Sequence, residues 1–244
     1  MSVHGGWAVT ERPILFSDAM VRAILEGRKT QTRRVVRRPT RVHPLNFNEA
    51  MTKAANPGWT GVQKRGPEDG IEWSLRCPYG HHGDLLWVRE TWEPVFGGSM
   101  SQGGKTISGT GFVDYRAGGP SMDIDEKHPH WNDLLAKFDS PAHCASEQSP
   151  CWLPSIHMPR WASRLTLRVA DVRVERLQAI TNDDARAEGV NEWGGDEPGD
   201  YRGEFRDLWD SINGKRPGCS WADSPWVWVV SFTPQPPHAR AYRR

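Results

Sequence analysis

The stretch RLTLRVADVRVERL, residues 164–177, alternates apolar with polar or charged side chains and breaks step only at Ala170-Asp171. Period-two alternation marks a half-buried strand. The break makes this one either a bent strand or a hairpin. Downstream, PWVWVVSF (225–232) is apolar at odd and even positions alike, which fits a strand covered on both faces. LLWVRETW (85–92), after the turn Gly83-Asp84, and GTGFVDYRA (109–117) supply further strands. Helical signals are fewer. Ser17 can cap a helix over 18–26 that Gly27 ends, and Thr181 with Asp184 forms a capping box for a helix ended by Gly189. Phe205, Leu208, Trp209 and Ile212 share one face of a third helix, which stops at Gly214. Long strands with few helices predict the α+β class, built around a small barrel.

Composition narrows the function classes. The 244 residues are 37% hydrophobic and 25% charged and include 13 tryptophans, which indicates a folded chain rather than a disordered one. No apolar run is long enough to span a membrane, and MSVHGGWAVTERP has no apolar signal core, so a cytoplasmic protein without membrane contact is expected. A net charge of +1 confines any nucleic-acid role to local patches. Cys77, Cys144, Cys151 and Cys219 show no paired spacing. A zinc site from some of them with His143 or His157 matches no ligand pattern, so incidental thiols, no metal and no cofactor are expected. Residues 40–75 and 97–150, rich in Gly, Pro and polar side chains, read as two long insertions.

The densest chemistry lies in EGRKTQTRRVVRRPTR (26–41), with seven basic and no acidic residues from Arg28 to Arg41. It can be a solvated face, a phosphate grip or a reactive edge. A lysine desolvated among other cations has a lowered pKa and can act as a base, so Lys29 beside Thr32 suits a nucleophile pair. On an ideal strand residues 29 and 32 face opposite sides, so the pair needs a turn or bulge between them. Glu188, at the negative end of the 181–188 helix, is a carboxyl whose pKa rises if shielded, hence a candidate acid or base. In LPSIHMPRWASR (153–164), His157, Arg160 and Trp161 sit between prolines and a strand, a rigid setting that suits substrate contact or plain packing.

These pieces resemble the ASCH superfamily of PUA-like β-barrel domains, which is associated with RNA and nucleoside chemistry. The likeness rests on ILEGRKTQTRR (24–34), DARAEGV (184–190) and WVWVVSF. Together with PILFSDAM, RCPYG, GDLLWVRETW, SIHMPRWASR and LWDSINGKR, it extends to the longer bacterial and prophage ASCH-domain proteins. The resemblance implies one PUA-like domain over 10–233, interrupted by the two insertions, with flexible termini at 1–9 and 234–244. Small members that deacylate N4-acetylcytidine use a lysine, a threonine and a glutamate without metal. By position these are Lys29, Thr32 and Glu188, and Arg34 falls where those members also carry an arginine.

Two functions follow as expectations. The first is an amidohydrolase for N4-acylated cytidine-type nucleosides or bases. In it Lys29 deprotonates Thr32 or a water, Arg34 steadies the oxyanion and Glu188 protonates the leaving amine, while Arg28, His157, Arg160 and Trp161 contact substrate. The second is an RNA- or DNA-binding module, RNA before DNA, with or without ribonuclease activity, gripping phosphates through the 28–41 run and the 160–176 arginines. No obligate protein partner is evident.

Overall fold

A computed structural model of the chain describes residues 9–37, 47, 51, 62–65, 72–75, 77–97, 110–125, 127–133, 152–190 and 199–236. In chain order the elements are β1 (Glu11–Leu15), α1 (Asp18–Leu25), β2 (Gln31–Val35), β3 (Val62–Arg65), β4 (Glu72–Leu75), β5 (Leu85–Arg89), β6 (Trp92–Gly97), β7 (Thr110–Tyr115), β8 (Met122–Ile124), β9 (Thr166–Arg176), α2 (Asn182–Ala187), α3 (Tyr201–Asn213) and β10 (Trp226–Pro234). The fold is mixed α+β, as expected. Its strands form sheets ordered β1-β5-β9-β10-β2, β3-β4 and β6-β7-β8, and no closed barrel is traced among the described residues.

The chain divides into two compact units. Unit 1 comprises Met1–Arg12, Ala23–Leu86 and Leu167–Gln235, and unit 2 comprises Pro13–Arg22, Trp87–Thr166 and Pro236–Arg244. All five strands of the largest sheet contribute residues to unit 1. There β10 lies between β9 and β2, antiparallel to both. Trp226 to Val230 are all buried, as a strand apolar on both faces demands. Opposite β10, Ser231 faces Asp171 and Phe232 faces Val169, so Ala170 is left over. The broken alternation in 164–177 is therefore a bulge in one continuous strand, not a hairpin.

One face of this sheet is covered by helices. Val227 and Val229 pack with Leu177, Ile180, Ala185, Phe205 and Trp209. Each Val, Leu, Ile or Phe side chain among them taken fully from water contributes about 1.5–3 kcal/mol. The α3 stripe drifts from its expected path. Phe205, Trp209 and Asn213 are buried, while Ile212 is 49% exposed. Asn213 is accommodated because its Nδ2 donates to the Trp209 carbonyl at 3.3 Å.

Unit 2 has its own core of Trp92, Val113, Tyr115, Ile124, Trp131, Met158 and Ala162. LLWVRETW is two strands here. β5 ends at Arg89 because the buried Glu90 turns aside to meet Arg164, whose Nε and Nη2 donate to its two oxygens at 3.0 and 2.8 Å. The 97–150 insertion contains β7 and β8, and the 40–75 insertion contains the antiparallel pair β3-β4. The rest of both insertions, the termini 1–8 and 237–244, and Cys144, Cys151 and His143 lie outside the described residues.

Candidate functional site

Lys29 is delivered by a helix ending. Gly27 takes φ +74°, the Gly27 N–H donates to Ile24 O at 3.0 Å, and the Arg28 N–H donates to Ala23 O at 2.9 Å. These two bonds form a Schellman cap. The Lys29 N–H also reaches Ala23 O, at 2.9 Å, which fixes the backbone just before β2 begins. The other contributor, α2, is opened by the expected capping box. Thr181 accepts from the Asp184 N–H, and the Asp184 side chain accepts from the Thr181 N–H. The helix ends at Glu188, with Gly189 at φ +84°.

The two endings interlock residue by residue. The Thr30 N–H donates to Ala187 O at 2.9 Å, Lys29 Nζ to Glu188 O at 2.8 Å, and Arg28 Nη1 to Gly189 O at 2.9 Å. Three successive carbonyls at the negative end of α2 thus receive three successive donors, two of them cationic. Gly189 is required twice over. Besides its positive φ, a Cβ there would lie 2.8 Å from Lys29 Cβ and 2.9 Å from Ala23 Cβ.

Lys29 and Glu188, paired from sequence, meet directly. Nζ lies 2.9 Å from Oε2 of Glu188 and 2.8 Å from Gln31 O, with the two side chains 0% and 4% exposed. Burial pushes the Lys29 ammonium below its ordinary pKa; Glu188 opposes this, and Arg34 and Arg33 add to it. Glu188 Oε2, Glu188 O and Gln31 O are all acceptors, which the three protons of an ammonium match.

Thr32 is placed elsewhere. On β2 the side chains alternate, and the register pairs Gln31, Arg33 and Val35 with Ser231, Val229 and Val227, the helix-covered face. Thr32 and Arg34 are paired with Val230 and Trp228 on the opposite face. The chain does not bend to bring Thr32 round to Lys29. In its place Arg33, whose side chain is 0% exposed, donates from Nη1 to Glu188 Oε1 at 3.3 Å. Its Nη2 lies 3.2 Å from both Glu175 Oε2 and Asp184 Oδ2.

The charges then step outward to solvent. Arg173 lies 3.2 Å from Asp184 and donates from Nε to Glu175, and Gln31 Nε2 donates to Asp184 Oδ1 at 3.1 Å. Burial pushes the Asp184 carboxyl up, but donors from Gln31 and Thr181 and the charge of Arg33 bring it below the usual carboxylate range. Arg173 is likewise pulled down by burial and then raised above its ordinary value by Glu175, Asp184 and Asp171. Lys29, Arg33 and Arg173 are thus each met by at least one of Glu188, Glu175 and Asp184, so each of these cations has a carboxylate partner.

Comparison with protein-family models, with curated proteins and with solved structures finds no match to this chain. The site is therefore read from its own geometry. Gln31, Glu175 and Asp184 were not expected at the site, and Arg33 and Arg173 were expected only as phosphate contacts, although a signal grouping Gln31 and Arg33 with Lys29 existed. From Lys29, steps of two lead to Gln31 and Arg33, so strand period alone groups them and separates Thr32 and Arg34.

Of the remaining candidates, His157, Arg160 and Trp161 belong to unit 2. His157 is exposed at the end of a 3₁₀ turn. Trp161 is half-buried, 6.1 Å edge-on from Trp92 and 5.4 Å stacked on His130. Arg160 lies 5.8 Å from the Trp87 ring, and its Nη2 donates to Thr166 Oγ1 at 3.3 Å. Arg28, in unit 1, is shared between Gly189 O and Glu26. Among the described residues no three His, Cys, Asp or Glu side chains are grouped to hold a metal. Cys77 is pushed up to about 11 by burial, which leaves it a thiol. No helix among the described residues is long and apolar enough to cross a membrane.

Proposed function

We propose that unit 1 is a PUA-like module carrying a metal-independent amidohydrolase site for N4-acylated cytidine-type nucleosides or bases, with Lys29 and Glu188 as its acid–base pair. The observation that carries this reading is the 2.9 Å meeting of Lys29 Nζ and Glu188 Oε2 across 159 residues of chain. These are the lysine and glutamate that the ASCH resemblance pairs. Burial lowering the ammonium's pKa adds support, since an ammonium so disposed gives up a proton more readily.

The contacts around the pair favour ammonium and carboxylate at rest, so the roles expected from sequence are exchanged. Glu188 takes a proton from a water molecule as its oxygen adds to the acyl carbon. The carbon–nitrogen bond breaks as Lys29 gives a proton to the leaving N4 amine. The proton on Glu188 then returns to Lys29 Nζ across their contact, leaving a carboxylic acid and the free amine. Water is the nucleophile because the Thr32 side chain points to the other sheet face.

The test is hydrolysis of N4-acetylcytidine by wild type, Lys29→Met, Glu188→Gln and Thr32→Val, with folding followed by circular dichroism. The first two variants are expected to lose about 10²–10⁴ in rate while still folded. Thr32→Val separates the water route, which it spares, from a threonine route, which it abolishes. An inactive wild type, or equal rates in wild type, Lys29→Met and Glu188→Gln, overturns the reading.

A further inference from the structure

Resting on that reading, we infer that Arg33 is the positioning residue of the Glu188 carboxylate in the Lys29–Glu188 pair. Arg33 and Arg34 are adjacent in sequence but project from opposite faces of β2. Arg34 shares its face with Trp228, whereas Arg33 shares the face of Val229 and Arg173. Arg33 contacts the Glu188 carboxylate directly, while the charge of Arg34 bears on Lys29. Its Nη1 holds Glu188 Oε1 at 3.3 Å while Lys29 holds Oε2 at 2.9 Å. With a different cation on each oxygen, the carboxylate can neither rotate nor turn both oxygens toward the lysine. A guanidinium, unlike an ammonium, does not shed its proton in a protein, so Oε1 faces a permanent charge while Oε2 faces a titratable one. This asymmetry suits a site in which one partner must donate a proton and the other must receive one.

Arg33 is held in turn from β9 and from α2. Glu175 on β9 and Asp184 on α2 share its Nη2, each at 3.2 Å. Glu175 is bound by Arg173 Nε, and Asp184 by Gln31, Arg173 and the Thr181 N–H. Lys29, Gln31, Arg173, Glu175, Asp184 and Glu188 are thus the charged and polar groups that face it. The guanidinium is oriented by two carboxylates that do not touch the pair, as expected of a residue acting through another.

The experiment follows the Glu188 carboxyl by ¹³C NMR across pH, together with the pH profile of N4-acetylcytidine hydrolysis. It uses wild type, Arg33→Gln, Arg33→Lys and Arg34→Gln. In Arg33→Gln the response of the Glu188 signal to pH and the acid limb of the rate profile should both differ from wild type, because a fixed opposite charge is lost. In the same variant kcat should fall about tenfold or more with KM nearly unchanged, the split left by a lost transition-state contact. Arg33→Lys should restore part of the wild-type response, and Arg34→Gln should leave the carboxyl titration in place. If Arg33→Gln does not fold, Arg33→Lys and the charge-balanced Arg33→Gln/Asp184→Asn pair give the same readouts. An unmoved Glu188 titration in a folded Arg33 variant overturns the inference. A wild type that hydrolyses nothing overturns the proposed function alone, since the titration still reports what Arg33 does to Glu188.

Discussion

Gly189 is the position where one methyl group reports on the whole site. It needs φ +84°, and its missing Cβ leaves room for the Cβ atoms of Lys29 and Ala23. Gly189→Ala meets both obstacles, a left-handed backbone and an overfilled contact. It is expected to destabilise the fold by about 2–4 kcal/mol, measured as a shift in urea midpoint at constant m. The displaced neighbour is Lys29 itself, so residual hydrolysis should fall with stability. A control such as Gly27→Ala, where a Cβ meets nothing within 4 Å, bears the backbone cost alone. The difference between the two isolates the contact with Lys29.

At the scale of elements, α2 combines capping with electrostatics. Asp184 is the third residue of the capping box and also a ligand of Arg33, Gln31 and Arg173. Thr181→Ala removes the cap and should cost about 1 kcal/mol. Asp184→Asn should cost more, and the double variant less than the sum, because the two side chains share the box. The pH dependence has a definite sign. The folded Asp184 carboxyl lies below its unfolded value of 3.8, so its contribution is complete above that pH and is lost as pH falls through the folded value. Acid unfolding followed in wild type and Asp184→Asn should therefore converge at low pH. The elements legible in sequence are those whose causes are local: the Gly27 and Gly189 endings, the Thr181–Asp184 box, and the alternation of 164–177 with its fault at Ala170. The face assignment on β2 was equally local in period, yet the likeness to small deacylases drew attention to Thr32 and Arg34. What sequence could not supply is register. Nothing within β2 or β9 says that Arg33 and Arg173 both lie opposite Val229, since that is set by the pairing of both strands with β10.

For the whole molecule, the basic run from Arg28 to Arg41 can no longer be counted as one charge patch. Lys29 and Arg33 have side chains 0% exposed and paired with carboxylates, whereas the other described members of the run, Arg28, Arg34 and Arg37, reach the surface, Arg34 half-buried and Arg28 shared with Glu26. Binding to duplex through this run should therefore lose about 0.9 of log–log salt slope for each of those three replaced by alanine. Replacing Lys29 or Arg33 instead should leave the slope unchanged while lowering stability by about 3–5 kcal/mol, the cost of stranding a buried partner. Titrating a fluorescent oligonucleotide at several salt concentrations separates the two outcomes.

The interlock of residues 28–30 with 187–189 also has a consequence in time. Lys29 leaves the ribosome 159 residues ahead of Glu188, an interval of roughly 8–30 s at ordinary rates of synthesis. Throughout it, Arg33 on β2 and the lysine just ahead of that strand are hydrated cations without the β10 neighbour. The newborn chain therefore presents its full basic run to solvent, and to any polyanion close by, before it possesses a site at all. Burial of those two charges is a late event of biosynthesis, since it awaits both the α2 ending and, later still, β10, which joins β2 to β9.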